Sequence, residues 1–346
     1  MFSGVVSRPS RIAAQLFVLA LALILAAGTG HAVAQDGSDR KYVRPFGPNA
    51  PWNVPVRSLP RHPDSDRLAK MLWSKAPSRP GNFNLGFEQY TYPVYDAADA
   101  TGEFPVRTKW RSNLNGKTIP WNPEWRPAPG EDAQVIILDH QRGIEWNLFQ
   151  VRFRNGVVHA TNGSQTRGDF RTYEGGNVPS RGIGIAYLAM LVRPEEIMQG
   201  EIRHALSMPI RNTSGQTYVA PATKLEFNTG RPGIPEGTRF ALDVTDAEIR
   251  AWSNTLPREM RQAGRIIARA LRDYGWFITD TAGGATFQFE ARVSAGAEWD
   301  RLGLRERRTG SKTYPNDLLD GLITPDNIYA IVPSDQYPSR LRARNR

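Results

Sequence analysis

The chain has 346 residues, no cysteine and a formal net charge of +10. The absence of cysteine excludes disulfides, thiol nucleophiles, zinc–thiolate sites and iron–sulfur clusters. The excess of Lys and Arg over Asp and Glu favours an anionic partner, such as an acidic polysaccharide or another cell-envelope polymer, or serves only to keep the protein dissolved.

The first 34 residues have the pattern of a cleavable secretory signal peptide. Arg8 and Arg11 form a basic region, residues 16–28 are almost continuously apolar, and Ala32 and Ala34 supply the small residues of a cleavage site. We predict cleavage after Ala34 and a secreted or periplasmic protein, which has no membrane span because the apolar run is too short to cross a bilayer. Without Arg8 and Arg11 the net charge is +8. The alternative is an uncleaved N-terminal anchor.

Composition divides the chain into four predicted regions. These are the signal peptide at 1–34, an extended Pro-rich arm at 35–62, a mainly-β globular domain at 63–338 and a basic C-terminal tail at 339–346. Proline-rich segments such as the arm disfavour helix and interrupt sheet pairing. The first helix is predicted at 64–75, where Leu68, Met71 and Leu72 share one face.

A β-hairpin is predicted at 144–162. Its turn is Asn155-Gly156, the favoured type I′ pair, which places Arg152 opposite His159. Because strand side chains alternate, one face carries apolar residues and the other carries mostly polar residues. The core face is Phe149, Val151, Phe153, Val158 and Ala160, and the outward face is Trp146, Gln150, Arg152, His159 and Thr161.

The second half of the chain mixes helices and strands. We predict a polar loop at 163–184, mostly helix at 185–207 with Pro194 opening a helix, a strand at 238–244 and a capping box starting at Thr245. A strand is expected at 276–280. Another strand near 287–293 would turn Phe287, Phe289, Ala291 and Val293 inward, and Gln288, Glu290 and Arg292 outward.

A helix at about 257–274 carries a narrow stripe of arginine. The stripe is either a solvent-facing surface or a rail that docks an anionic partner. Its members are Arg258, Arg261, Arg265, Arg269 and Arg272.

These elements predict a mainly-β fold with peripheral helices. The expected architecture is a β-sandwich or jelly roll in a single large domain.

Five motifs resemble those of a group of exported bacterial proteins. They are Phe46 with Pro51-Trp52-Asn53, the segment 184–188 (GIAYL), the segment 193–197 (RPEEI), the segment 200–206 (GEIRHAL) and the segment 221–224 (PATK). The resemblance implies export and a shared fold, and it does not indicate a substrate. It draws attention to the region around His204 and Lys224.

The candidate chemistry is that of a carbohydrate site. Uronate lyases need a cation or amide beside the carboxylate and a group that removes the neighbouring proton, whereas glycoside hydrolases need two carboxyl groups. We predict His204 and Lys224 as proton-transfer groups and five binding residues: Trp146 for stacking, with Gln150, Arg152, His159 and Arg181. The acidic candidates are Asp139, Glu145, Asp280 and Glu290.

Several other sites are disfavoured by missing motifs. The chain has no His-Glu-x-x-His sequence, no Gly-x-Ser-x-Gly elbow and no phosphate-binding loop. We predict no metal site and no cofactor. Nucleic acid is not expected as a partner, because no recognisable module is present.

Two main hypotheses follow. The first is an exported enzyme that cleaves an anionic polysaccharide by β-elimination or hydrolysis. The second is a non-catalytic envelope protein that binds glycan or another anionic polymer.

Overall fold

Strand is more abundant than helix in the part of the chain that the structure describes. The computed structural model describes residue 1, residues 43–175 and residues 180–338. Among these residues, strand accounts for 28% and helix for 22%, which agrees with a mainly-β fold with a few helices. The predicted signal peptide, residues 35–42 of the predicted arm and the predicted tail at 339–346 lie outside the described residues. No helix in the described part of the chain is long and apolar enough to cross a membrane.

The described residues contain eighteen strands, most of them short. In chain order they are β1 (Phe83–Gly86), β2 (Val94–Asp96), β3 (Gly102–Thr108), β4 (Thr118–Trp121), β5 (Val135–Asp139), β6 (Ile144–Phe149), β7 (Arg152–Arg154), β8 (Val157–Ala160), β9 (Asn162–Gln165), β10 (Leu206–Ile210), β11 (Thr213–Tyr218), β12 (Ile234–Glu236), β13 (Arg239–Leu242), β14 (Trp276–Thr281), β15 (Ala285–Gln288), β16 (Arg307–Thr309), β17 (Lys312–Tyr314) and β18 (Ile328–Ile331).

Five α-helices are present in the same part of the chain: α1 (Ser65–Lys75), α2 (Pro194–Gln199), α3 (Asp246–Ser253), α4 (Arg261–Asp273) and α5 (Arg292–Arg301). The predicted helix at 64–75 is confirmed. The capping box is confirmed as well, since the Thr245 side chain accepts from the Glu248 amide while the Glu248 carboxylate accepts from the Thr245 amide. The long helix predicted at 257–274 is α4, preceded by a short 3-10 turn at Arg258–Met260.

The strands are divided among several small sheets. Three of them have four strands, in the orders β10-β14-β13-β18, β2-β5-β6-β9 and β4-β3-β8-β7. We name the last one the hairpin sheet. The pairs β1-β15, β11-β12 and β16-β17 form two-stranded sheets. This division does not confirm a β-sandwich or jelly roll.

Apolar packing holds these sheets in place. In the largest core, residues of α4 such as Ile267 and Leu271 belong to one cluster with Phe240 of β13 and Trp276 of β14. A separate cluster joins the hairpin sheet to the β2-β5-β6-β9 sheet: Val106, Ile119, Trp121 and Val158 come from the first, and Val135, Ile137, Trp146 and Leu148 from the second.

Residues 43–62 lie against the rest of the structure. Trp52 is buried, and its carbonyl accepts from the Ala205 amide at 2.7 Å. The buried Arg239 guanidinium donates to the carbonyls of Pro51 and Val54, at 3.1 and 2.6 Å. This packing removes the aromatic side chains of residues 43–62 from water.

The helix predicted at 185–207 is mostly wrong. Only Pro194–Gln199 is helical, with Pro194 at its first turn as expected, and Leu206–Ile210 is strand β10. Residues 185–192 are buried irregular backbone, in which Met190 has a φ of 66°. Apolar content there reflects burial on all sides, which a helix period does not describe.

The alternation predicted at 287–293 is also only partly correct. Phe287, Phe289 and Ala291 are buried, but so are Gln288 and Glu290, while Val293 is 39% exposed. Strand β15 ends at Gln288 and α5 begins at Arg292, so the two-residue period does not continue. The polar Gln288 and Glu290 side chains are buried because each bonds an arginine, Arg181 and Arg193 respectively.

Candidate functional site

A cavity of about 570 Å³ opens on the hairpin sheet. Its volume is within the range of small-molecule sites. Strands β3, β7 and β8 supply part of the wall, and the segments around residues 130–133 and 150 supply the rest. The lining residues are Arg107, Thr108, Lys109, Gly130, Glu131, Ala133, Gln150, Arg152, His159, Ala160 and Thr161.

Three lining side chains stand side by side because of strand register. His159 on β8 pairs with Arg107 on β3 and with Arg152 on β7. Residues paired directly across strands project from the same face of a sheet. The imidazole therefore lies on the same face as two guanidinium groups and between their strands, while neighbouring Val106 and Val158 are buried on the other face.

The local turn sets that register. Asn155 and Gly156 have φ values of 50° and 72°, as the predicted type I′ turn requires. The pairing of Arg152 with His159 is therefore confirmed.

The cavity has an excess of positive charge. Arg107, Lys109 and Arg152 form no ion pair with any residue in the described ranges, and Glu131 is the single acidic residue in the lining. Such unpaired cations attract a carboxylate, sulfate or phosphate group, and guanidinium forks match carboxylate geometry. The Thr161 hydroxyl donates to the Gln150 amide oxygen at 2.7 Å, and the Thr108 hydroxyl donates to the Trp110 carbonyl at 2.8 Å. The hydroxyl oxygens and the Gln150 amide N–H groups can still bond the hydroxyls of a ligand.

Three of the five predicted binding residues line this cavity: Gln150, Arg152 and His159. Trp146 does not, and its predicted outward orientation is wrong. Its side chain is 4% exposed, in the core shared by the two sheets. The reason is a break at Gln150, whose φ of 55° ends β6, so residues 144–149 and 152–154 belong to different sheets and their faces are unrelated.

Arg181, the fifth predicted binding residue, is fully buried and faces the interior. Its guanidinium donates to the Tyr92 hydroxyl at 3.0 Å, to the Ser207 hydroxyl at 3.0 Å and to the Gln288 amide oxygen. It also donates to the carbonyls of residues 186, 187 and 189. All of its donors face protein groups, so the structure gives it a structural position instead of the predicted substrate contact.

The predicted proton-transfer groups are not brought together. His204 is 2% exposed, with Nε2 3.0 Å from a Glu196 carboxylate oxygen and Nδ1 2.9 Å from the Ala205 carbonyl oxygen. Burial lowers the pKa of His204, but the Glu196 charge and the two hydrogen bonds outweigh burial and raise it overall. Lys224 is exposed and lies over Gly184, in a different place. Neither residue lines the cavity.

Three carboxyl groups meet near Lys224, and two of them were not among the sequence candidates. The Thr281 amide donates to Glu226 at 2.9 Å and to Asp280 at 3.0 Å, while the Glu226 amide donates to Glu236 at 3.2 Å. Burial first, and then the Glu226 charge, raise the pKa of Glu236 to about 7 and hold that of Asp280 well above its ordinary value. No periodicity or motif distinguishes Glu226 and Glu236 in the sequence.

The other acidic candidates do not join this cluster. Asp139 pairs with Arg142 at 2.5 Å, and Glu290 pairs with Arg193 at 3.0 Å. Glu145 is buried among hydrogen-bond donors, although burial still raises its pKa. Burial, and to a smaller extent the charge of Glu195, raise the pKa of Glu290 to about 7 although Arg193 lowers it. Of the four, only Asp280 belongs to the cluster with Glu226 and Glu236.

One residue connects this cluster to the cavity. Asp132 lies between the lining residues Glu131 and Ala133. Burial, and to a smaller extent the charge of Glu226, raise the pKa of Asp132. Asp132, which adjoins the cavity lining in the chain, therefore interacts electrostatically with Glu226 of the carboxyl cluster.

Most of the arginine stripe is held locally. Arg261 donates to the Leu256 and Asn254 carbonyls at 3.1 and 2.9 Å. Arg269 and Arg272 lie 3.4 and 3.0 Å from Asp246. These contacts favour the surface interpretation over the docking rail.

Within residues 43–175 and 180–338, no group of three His, Asp or Glu side chains is arranged to hold a metal ion. Comparisons of the chain with protein-family models, with curated proteins and with solved structures find no match.

The raised pKa values predict a pH-dependent stability. A carboxyl group whose pKa is higher in the folded state stabilises the fold at low pH, and this contribution is lost as pH rises from about 4.5 to about 7. Glu236→Gln should therefore reduce the loss in unfolding free energy between pH 5.5 and 8 by roughly 2 kcal/mol. Urea unfolding at pH 5.5 and at pH 8 measures the unfolding free energies of both proteins. Glu103→Gln, at an exposed glutamate, is the control and should leave the loss unchanged. An equal loss in wild type and Glu236→Gln would contradict the prediction.

We expect His204 to contribute to the stability of the folded protein. Since His204→Ala leaves the Glu196 carboxylate buried without its imidazole partner, we expect a decrease of about 3 kcal/mol in unfolding free energy at pH 6. Chemical denaturation provides the measurement. The control is His159→Ala, at a partly exposed cavity residue. This substitution should lower the unfolding free energy by no more than about 1 kcal/mol. Equal stability of the two variants would show that the His204–Glu196 pair does not hold the fold.

Proposed function

We propose that this chain is an exported protein that binds an anionic polysaccharide, or a similar cell-envelope polymer, in the cationic cavity. The observation that carries the proposal is the set of unpaired cations, Arg107, Lys109 and Arg152, around one cavity. Because none of the three forms an ion pair with a described residue, and Glu131 is the single acidic residue in the lining, their charges are available to an anionic ligand. The signal-peptide pattern and the resemblance to exported proteins support a secreted or periplasmic location.

The cavity chemistry fits a uronate better than a simple anion. Two guanidinium groups on neighbouring strands suit a planar carboxylate, and the Gln150, Thr108 and Thr161 side chains suit ring hydroxyls. A cavity for a bare inorganic anion would not need this range of neutral hydrogen-bonding groups.

We also propose the finer fold assignment, a β-sandwich or jelly roll. Its support is the apolar cluster shared by the hairpin sheet and the β2-β5-β6-β9 sheet. Two sheets that bury facing side chains in one core are the basic unit of a sandwich.

Removal of cavity cations should weaken polysaccharide binding. For polygalacturonate at low ionic strength, we expect Arg152→Ala and Lys109→Ala each to raise Kd roughly tenfold, because each removes a charge-assisted contact. Affinity should also fall as salt increases. Isothermal titration calorimetry measures both effects.

Arg258→Ala is the matched control for these variants. Arg258 is an exposed arginine outside the cavity, and its removal should leave Kd within twofold of wild type. If the control and the cavity variants lose the same affinity, the site is not the cavity and the attraction is that of the overall charge.

A second candidate function is β-elimination in the same cavity. It is favoured by the position of His159 between the strands that carry Arg107 and Arg152. Arginine would neutralise the uronate carboxylate while the imidazole takes the proton from the adjacent carbon. The electron pair then forms a carbon–carbon double bond, the glycosidic C–O bond breaks, and the departing oxygen takes a proton from solvent.

The lyase version makes a separate prediction. His159→Ala should lower kcat/KM for polyuronate cleavage by about a hundredfold or more, as expected for loss of a general base, and should leave binding within a few fold. The ultraviolet absorbance of the unsaturated product measures cleavage. Binding without any product supports the non-catalytic version. New reducing ends without that absorbance would instead indicate hydrolysis, and Asp280→Asn would be the variant to examine.

A further inference from the structure

Trp110 is exceptional among the tryptophans of this chain. All nine lie within the described residues, and Trp110 alone is exposed, with 55% of its surface accessible. Seven are at most 8% exposed and Trp73 is half-buried. Single exposed apolar side chains are common on protein surfaces, and Phe227 and Tyr218 are other examples in this chain. What distinguishes Trp110 is that it adjoins the cationic cavity.

Backbone contacts fix Trp110 at the rim of the cavity. It directly follows the lining residue Lys109 in the chain. Its amide donates to the carbonyl of Thr161 at 2.9 Å, and its carbonyl accepts from the hydroxyl of Thr108 at 2.8 Å. Thr108 and Thr161 both line the cavity. The backbone that carries the indole is therefore bonded to the cavity wall on two sides.

The indole has little packing of its own. Its one ring contact among the described residues is with Phe149, at a centroid distance of 6.4 Å and an angle of 36°. A side chain that is half accessible and has this single aromatic neighbour keeps surface free for a ligand. The apolar C–H face of a pyranose ring matches such a surface, and the flanking Lys109 and Arg111 match its acidic groups.

We infer that Trp110 is a stacking platform for a second sugar ring, so that the site takes a segment of at least two linked uronate residues. One residue places its carboxylate among Arg107, Arg152 and Lys109, and its neighbour lies on the indole at the rim. The inference rests on the proposed function and adds ligand length to it. Trp110 thus takes the role that the sequence assigned to Trp146.

Titration with ligands of increasing length tests the inference. The probes are galacturonic acid, its trimer and its tetramer, with wild type, Trp110→Ala and Trp110→Phe. Trp110→Ala should raise Kd for trimer and tetramer about tenfold and change Kd for the monomer by less than twofold. Trp110→Phe should lie between, because a smaller ring remains.

Controls separate stacking from indirect effects. Tyr218→Ala removes another exposed aromatic that does not line the cavity, and it should leave every Kd unchanged. Arg152→Ala should weaken monomer and trimer alike. Thermal unfolding of each variant shows whether the fold is kept. In wild type, the trimer should also protect tryptophan fluorescence from acrylamide, and Trp110→Phe should lose that protection.

The outcomes distinguish the two proposals. If wild type binds no uronate and Arg152→Ala changes nothing, the proposed function fails and this inference fails with it. If the trimer binds in an Arg152-dependent way but Trp110→Ala binds equally well, only the stacking role is overturned. Equal losses for monomer and trimer in Trp110→Ala would also overturn it. Displacement of bound trimer by a single-stranded oligonucleotide at physiological salt, with tighter binding of the latter, would replace the sugar with a nucleic acid.

Discussion

The fold depends on a buried guanidinium whose hydrogen-bond partners, among the residues that the structure describes, are all neutral groups. Arg181 is 1% exposed and makes six hydrogen bonds, three to side chains and three to backbone carbonyls. The carbonyls belong to residues 186–189, while Ser207 and Gln288 come from β10 and β15. A buried charge is tolerated only when all its donors are satisfied, so this arrangement fixes irregular backbone to two strands.

A buried carboxylate holds the same backbone from the opposite side. Glu145 accepts from the Leu188 amide at 2.9 Å, and Asn147, two residues further along β6, accepts from the Tyr187 amide at 2.9 Å. Side chains of Arg181 and Glu145 thus satisfy carbonyls and amides that neither a helix nor a sheet satisfies. This is the condition for burying a loop. It joins the β6 strand to β10 and β15 through one polar network.

Sequence reasoning succeeded where structure is decided locally. The Asn155-Gly156 turn, the Thr245 cap and helix α4 depend on neighbouring residues, and each was predicted correctly. It failed where distant groups decide. The helix predicted at 185–207 is wrong over residues 185–192, because the Arg181 and Glu145 contacts that order this backbone leave no periodic signal in the sequence. Trp146 was placed outward because nothing in the sequence marks a left-handed Gln150, and the Glu226–Glu236–Asp280 cluster needs three separate segments to meet.

The residues that the sequence suggests for catalysis or ligand binding fall into two classes according to their exposure. Arg181 and His204 are buried, and all the nitrogen atoms of their side chains contact other groups of the protein. These contacts stabilise the fold. Arg152 and Lys109 are exposed and line the cavity, without ion-pair partners among the described residues. Only the second class has interactions left to offer a ligand. We therefore propose the ligand site at exposed cations on a strand face, and not at a histidine within a motif.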